Sequence, residues 1–314
     1  VTLRIVDVSE PDSAIDCAAL GDPLVAVGSL AGASEYWLER ATFTLTEDAS
    51  ADRRAITVAS VDKAVAALTE RVERWPIAAA TCDDVLRSVD PAAPALPGVV
   101  SESLAYSTLQ AGPEFARWLA HRGPATVPDI PDPVQVRRDG DTLHIAFNRP
   151  QRHNAFSTDA RAALLEALAV AQLDSSVDEV VLTGNGPSFC SGGDLDEFGT
   201  FTDPASAHLA RTRHSPALAL DAVTSRLGAA CRAEVHGRVL GSGLEMAAFC
   251  GRITAAPDAV FGLPELALGL IPGAGGTVSV TRRIGRWRTA FLVLSGQTLD
   301  AATALAWGLV DALA

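Results

Sequence analysis

Two glutamates and two glycine-rich turns are the residues of this sequence whose types and spacing could do chemistry. The stretch from His236 to Glu245 reads as a short strand that ends in the turn Gly241-Ser242-Gly243 and opens a helix. The first N–H groups of a helix lack intrahelical partners and sit at the positive end of its dipole. Such a turn suits a developing oxyanion. Glu265 follows a further strand, just past Pro264, and with Glu245 it brackets that site. A third segment, Ser188 to Leu195, contains Gly192-Gly193, where missing Cβ atoms let backbone N–H groups approach a ligand. Together these segments describe acid/base chemistry beside a stabilised oxyanion.

Taken singly, each residue has an ordinary explanation. A first-turn glutamate usually complements the helix dipole, and a glutamate after proline is commonly a helix-start acid. Only the combination of two carboxylates with backbone donors makes a catalytic pair. Cys190 reads as a small packed hydrophobe, and His236 as a hydrogen-bonded residue at a strand end. Arg211, Arg213 and His214 form a basic spot of the kind that is usually a solvated face, and they receive no role. Leu240 to Leu244 lacks the G-x-S-x-G nucleophile pattern. No P-loop or G-x-G-x-x-G element follows a strand. Serine hydrolases, P-loop enzymes and dinucleotide oxidoreductases therefore lose support.

The elements that position these segments follow from hydrophobic period and breakers. The strand Leu143–Phe147, a helix capped by Ser157 and the strand Glu179–Thr183 make a strand-helix-strand unit whose strands are expected to be parallel. Ala233–His236, a helix over Gly241–Cys250, Arg252–Ala255, Val260–Phe261 and three short helices follow, an alternating α/β pattern. Closely spaced prolines between Gly123 and Pro133 mark a linker. They divide the chain into residues 1–123, a linker at 124–133 and residues 134–314. The first region reads as mostly helical after residue 60, with helices from Val61 and over Ser101–Ala120. Short strands are expected at Pro23–Val27 and Ala55–Val58.

Composition bounds the function. The 314 residues carry a net charge of −13, which excludes nucleic acid and anionic membrane as main partners. No run of about 20 apolar residues could span a bilayer, and the start lacks a secretory signal, so a soluble, cytoplasmic chain is expected. The five cysteines, Cys17, Cys82, Cys190, Cys231 and Cys250, show neither disulfide-framework nor metal-ligand spacing, so no metal is expected.

Through these segments the sequence resembles the crotonase (enoyl-CoA hydratase/isomerase) superfamily. The resemblance is carried by Asn148-Arg149-Pro150 with Asn154-Ala155, by Phe189 to Leu195, Gly237 to Glu245, Phe261 to Glu265, and Gly269 to Thr277. It covers residues 134–314 and implies an α/β fold with a crotonase-like β-β-α spiral core in the second half. By that resemblance Gly193 and Ser242 supply the oxyanion-hole N–H groups, while Glu245 and Glu265 hold one water and move protons at carbons 2 and 3. It places Arg152, His153 and Ala155 around the adenine end of CoA. It sets Ser191, Gly192, Asp194, Leu195 and Gly241 along the rest of the thioester, with Arg152 suited to a phosphate. The intact glutamate pair implies reversible hydration of a 2-enoyl-CoA thioester. The alternatives are a non-catalytic acyl-CoA-binding paralogue, an enoyl-CoA isomerase or a CoA-thioester hydrolase. No cofactor is expected beyond the CoA of the substrate, and the family implies a homo-oligomer, trimer or hexamer.

The sequence departs from the family pattern in three places. Ser242 stands where glycine is usual, which would crowd the thioester or strain the turn if that residue needs a positive φ. Gly251 stands where many relatives carry aspartate. The chain stops at Ala314, soon after Gly308-Leu309-Val310, where relatives continue with helices that complete a lid and support trimers. Val61–Arg87 and Ser101–Arg122 resemble those helices in order and in the placement of Pro76. Residues 1–123 are accordingly read as a permuted part of the same fold or, alternatively, a degenerate upstream copy.

Overall fold

The computed structural model describes residues 1–10, 22–201 and 203–314, so Cys17 lies outside the described residues. In the first region β1 (Arg4–Asp7), β2 (Leu24–Val27), α1 (Glu35–Arg40), β3 (Phe43–Thr46) and β4 (Ala55–Thr57) precede the long helices. The four strands pair in chain order, all parallel. β2 and β4 are the expected strands; β1 and β3 are too short and too weakly alternating to read from pattern alone. Ser60 caps α2 (Val61–Arg74) by accepting from the Lys63 N–H at 3.4 Å. Next come α3 (Pro76–Ser88), α4 (Ala95–Gln110) and α5 (Pro113–Arg122). The single helix expected over 101–120 is thus two. Pro113, without an N–H to continue the ladder, stands first in α5.

Residues 124–130 run without regular structure into the second region. That region begins β5 (Val134–Asp139), β6 (Thr142–Phe147), α6 (Thr158–Leu173), β7 (Glu179–Gly184), α7 (Pro204–Arg213), α8 (Pro216–Leu227) and β8 (Cys231–Val235). It continues with β9 (Arg238–Leu240), α9 (Ser242–Ala247), β10 (Arg252–Ala255), β11 (Val260–Gly262), α10 (Gly276–Ser295), β12 (Leu299–Asp300), α11 (Ala301–Trp307) and β13 (Ala312–Leu313). β6 and β7 are parallel, as the strand-helix-strand reading requires. The larger sheet runs β13-β10-β8-β7-β6-β5, with only the β5–β6 hairpin antiparallel. A second, three-stranded sheet runs β12-β11-β9, and its strands β9 and β11 lead into Gly241-Ser242 and into Glu265. In place of the three short helices expected, the chain forms a 3-10 turn at Glu265–Leu268, then α10, 20 residues long and broken at Gly285 (φ +80°), then the short α11.

Buried side chains of both regions form one hydrophobic cluster that includes Leu3, Phe43 and Leu86 as well as Ile145, Phe291 and Val310. α10 is the shared element, packed against α2, α3, α4, β3 and β4. Phe43 meets Phe291 edge to face, with ring centroids 5.5 Å apart. The Arg71 Nε–H donates to the Leu294 carbonyl at 2.8 Å. At the far end, the Glu114 carboxylate caps α3 by accepting from the Ile77 and Ala78 N–H groups at 2.8 and 3.0 Å. The same residue packs on Gly269, where any added Cβ would lie 2.7 Å from the Glu114 Cβ. A permuted arrangement requires residues 61–122 to lie beside Glu265, and α5 packs on the 3-10 turn that Glu265 begins. No helix among the described residues is long and apolar enough to cross a membrane.

Candidate active site

The two backbone turns are zipped together by strand-like bonds. The Cys190 N–H donates to the Arg238 carbonyl and the Leu240 N–H donates back to the Cys190 carbonyl, each at 3.0 Å. Beyond this ladder the chain turns at Gly192 (φ +100°) on one side and at Gly241 (φ +48°) on the other. A Cβ on Gly241 would lie 3.5 Å from the Gly192 Cα and 2.6 Å from Glu265 Oε1, so only glycine lets the turns and the carboxylate meet. The Gly192 carbonyl accepts from the Phe156 N–H at 2.8 Å, and the Asp194 N–H donates to the Phe156 carbonyl at 3.0 Å. Between them the Gly193 N–H has no acceptor among the described residues, and neither has the N–H of Ser242, first residue of α9. Both residues line one cavity of about 340 Å³.

Ser242 is absent from the positive-φ residues, so the turn strain expected of it does not arise; Gly241 takes the left-handed conformation instead. The serine has a different consequence. Its Oγ is buried beside the Cys190 thiol, with no full hydrogen bond among the described residues. Gly251 also finds a reason, since a Cβ there would lie 2.1 Å from the Gly228 carbonyl oxygen, and no side chain fits.

Both glutamates face the same cavity. Glu245 Oε2 accepts from the Ala274 and Gly276 N–H groups at 2.7 and 2.8 Å, and its backbone carbonyl accepts from Ser279 Oγ at 2.7 Å. Burial and the nearby Glu265 and Glu102 carboxylates push the Glu245 pKa up, and the two amide donors oppose that rise. Glu265 is buried, and its Oε2 has no partner among the described residues. Its burial, reinforced by Glu102, pushes its pKa up to about 8. Two buried carboxylates with such shifts share protons rather than ionise together at neutral pH.

A third carboxylate comes from the first region, with no motif in the sequence to announce it. Glu102 on α4 is 1% exposed. Its Oε1 accepts from the Gly275 N–H at 2.7 Å, and its Oε2 from the N–H and hydroxyl of Thr277 at 2.8 and 2.7 Å. Burial raises its pKa to about 7 against those hydrogen bonds. Glu102 and Glu245 therefore hold alternate N–H groups of one loop, Ala274 to Thr277, at the start of α10. One turn further along α4, the Tyr106 ring packs on Gly273 and closes the cavity wall.

Of the residues expected along CoA, Ser191, Gly192, Leu195 and Gly241 line the cavity, whereas Arg152, His153, Ala155 and Asp194 lie outside its lining. Those four form a support. Asp194 takes Arg149 Nη2 and Arg152 Nη2, each at 2.8 Å, and Arg152 also pairs with Asp196 at 2.5 Å. Burial opposes ionisation of Asp194, but the Arg149 bond and its other donors outweigh it and hold the pKa low. Arg149, 2% exposed, also donates to the Ala155 carbonyl. The left-handed residues His153 and Asn154 complete the turn: Asn154 accepts from the Arg149 N–H at 2.7 Å, and His153 Nδ1 sits 3.0 Å from Ser188 Oγ. His236 is structural, its Nε2 2.8 Å from the Gly186 carbonyl. Cys190 is buried with its thiol pushed up to about 12 by desolvation. Arg211 departs from the solvated-face expectation, because its guanidinium is turned inward onto α4; Arg213 and His214 are exposed.

This α/β core, with two N–H groups that have no acceptor among the described residues beside two buried carboxylates, has the crotonase type of fold. The sequence profile of enoyl-CoA hydratase/isomerase matches residues 138–314, and the chain belongs to that family. It is 36% identical over 176 residues to 2,3-dehydroadipyl-CoA hydratase of Escherichia coli, covering 56% of this chain and 67% of that protein. It is also 36% identical over 180 residues to a probable enoyl-CoA hydratase of Mycobacterium tuberculosis, covering 57% of this chain and 67% of that one. Among solved structures, enoyl-CoA hydratase from Thermoplasma volcanium superposes with a TM-score of 0.50 at 34% identity, over 58% of this chain and 71% of that one.

Proposed function

We propose that this chain catalyses the reversible hydration of 2-enoyl-CoA thioesters. The observation that carries the reading is one cavity lined both by Gly193 and Ser242, whose N–H groups have no acceptor among the described residues, and by Glu245 and Glu265. Water adds poorly to an isolated alkene, but conjugation to a thioester lets charge move onto the carbonyl oxygen. A preorganised backbone donor there contributes on the order of 3 kcal/mol to the transition state. Glu245, steadied by two amide donors, takes a proton from the water that attacks carbon 3. Burial and mutual repulsion leave one proton on the pair; the two amide donors favour the ionised form of Glu245, so the proton sits on Glu265, whose Oε2 has no partner among the described residues, and Glu265 delivers it to carbon 2. The proton count of the pair is unchanged, and transfer between the two carboxylates resets the site. The hydratase names of the relatives agree with this direction of chemistry.

The test is loss of the conjugated-thioester absorbance of 2-enoyl-CoA esters with the purified chain, beside Glu245→Gln and Glu265→Gln, with free thiol measured in parallel. Absorbance loss that both substitutions abolish, without thiol release, is the expected result. Thiol release would make the activity thioester hydrolysis. Tight CoA-ester binding with no loss of absorbance would make the chain a binding paralogue.

A further inference from the structure

One end of the cavity carries positive charge that hydration does not use. Arg161 on α6 and Arg211 on α7 both line it, together with His214. The Arg161 guanidinium has no hydrogen bond or ion pair among the described residues. Burial holds its pKa below the ordinary value, with Glu197 the opposing anion. Yet Glu197 is already engaged, its two oxygens accepting from the Thr158 N–H at 3.0 and 2.8 Å and its Oε2 from the Thr158 hydroxyl at 2.9 Å. Arg211 donates to Ser103 Oγ at 3.3 Å, to Gln110 Oε1 at 2.9 Å and to Ser107 Oγ, and lies 4.5 Å from the Tyr106 ring centroid. All of those partners are neutral. Burial lowers the Arg211 pKa; Tyr106 and Glu102 act against this, and Arg161 adds to it, so the two guanidiniums are electrostatic neighbours.

Their position relative to the chemistry follows from α4. Glu102 on that helix grips the loop that holds Glu245, while the adjacent Ser103 and, one turn on, Ser107 grip Arg211. Arg211 is thus held by the helix that also holds the loop of Glu245, and both guanidiniums line the cavity that Glu245 and Glu265 line, so an acyl chain extending past carbon 3 within it shares that space with them. The Arg152–Asp194 cluster lies outside the lining. A desolvated arginine without a partner is costly to keep unless an anion completes it.

We propose that the acyl chain accepted by this site ends in a carboxylate, held by Arg161 and Arg211. The substrate class is the CoA thioester of a 2-unsaturated dicarboxylic acid, a specification that rests on the hydratase reading. Arg161 supplies the free donors, and Arg211, fixed by three neutral acceptors, supplies charge.

The experiment compares 2-enoyl-CoA esters of equal length ending in carboxylate or methyl, with the intact chain and with Arg161→Met. Calorimetric binding of the corresponding saturated esters, which cannot be hydrated, is measured alongside. A charged hydrogen bond is worth roughly tenfold or more in binding, so the carboxylate ester is expected to lead in kcat/KM and in affinity by at least about that factor. Arg161→Met is expected to collapse that ratio, chiefly through KM. Equal handling of the two esters, or a ratio unmoved by Arg161→Met, overturns the proposal while leaving hydration intact. Arg161-dependent preference among saturated esters with no turnover of any enoyl ester sustains the anion site and sinks the hydratase reading instead. If Arg161→Met weakens all esters alike and this loss vanishes with 3′-dephospho-CoA esters, the arginines hold a CoA phosphate and the proposal fails.

Discussion

From residue 134 onward, the proposed catalytic groups are backbone N–H donors and carboxylates mounted on short turns, with Arg161 and Arg211 reaching the same cavity from helices. Before residue 123, the contributing groups are side chains on long helices that touch those turns from outside. Gly193, Ser242, Glu245 and Glu265 belong to the first kind; Glu102, Tyr106 and Glu114 belong to the second. The difference shows how far the site depends on chain outside its motifs. Glu245 is oriented by the Ala274 and Gly276 N–H groups, and the loop carrying those groups is clamped by Glu102 from α4. The motif half is therefore expected to set the chemistry, and the helical half to set how well that chemistry is held.

The sharpest division is tested at the glutamates. Glu245→Gln and Glu265→Gln each remove a general acid or base, and hydration is expected to fall by roughly two to four orders of magnitude. Thermal stability should not fall with it, because both substitutions replace a buried carboxyl by a neutral isostere. A decline of less than tenfold in turnover would show that the chemistry is not theirs. On the other side of the division, Phe43→Ala opens the contact between β3 and α10 and leaves Phe291 only Trp307 as a ring neighbour. Its expected cost is about 3 to 5 kcal/mol of stability. A single unfolding transition shifted as a whole would show that the regions share one core; two separate transitions would show that they do not.

Glu102→Ala probes the clamp itself. It strips acceptors from the Gly275 and Thr277 N–H groups and from the Thr277 hydroxyl, all buried, at about 1 to 3 kcal/mol for each unsatisfied group. Stability and kcat are expected to fall together, with KM less affected, because the loop that orients Glu245 loosens. Glu102→Gln, which keeps acceptor capacity on one oxygen, should recover part of both. If kcat is unchanged in the destabilised variant, Glu102 is a structural cap only.

The legibility of the sequence follows the same line. Gly241, Gly193, Glu245 and Glu265 are readable because backbone donors require glycine turns and strand-to-helix junctions, features that leave a local signature. Glu102 leaves none: its role depends on a loop more than 170 residues away in the chain, and an acid within a helix looks solvated until the packing is known. Arg211 is obscured for the same reason, as a basic spot on a helix does not declare which face turns inward. The break between α4 and α5 is signalled by Gly112-Pro113, but helical periodicity on both sides masks it. In the first region β1 and β3 are three to four residues of contact supplied by neighbouring strands rather than by their own alternation.

The pH dependence separates Glu265 from its support. Its pKa is about 8 in the fold against 4.5 for an ordinary glutamate. A carboxyl raised in the folded state binds its proton more tightly there, so its stabilising contribution is full below pH 4.5 and is lost as pH rises through about 8. Wild type should therefore lose stability relative to Glu265→Gln across that window. Turnover in the hydration direction should decline on the alkaline side as the acid form is lost. Melting curves of the two proteins at a series of pH values give the difference directly; parallel curves would place the ionisation elsewhere, with Glu102 the next candidate because it too is raised, to about 7.

The smallest expected effect tests whether the donors are backbone groups. Ser242 Oγ is buried beside the Cys190 thiol with no full hydrogen bond among the described residues, and the residue lines the cavity. Ser242→Ala removes a hydroxyl that costs about 1 kcal/mol or more where it stands, and keeps the N–H and the helical backbone. A rise in melting temperature with kcat changed less than about threefold is the expected outcome, since oxyanion stabilisation resides in the peptide group. A large loss of kcat would mean that the hydroxyl itself meets the substrate. The motif half would then act through a side chain at the one position where this chain departs from the family's glycine.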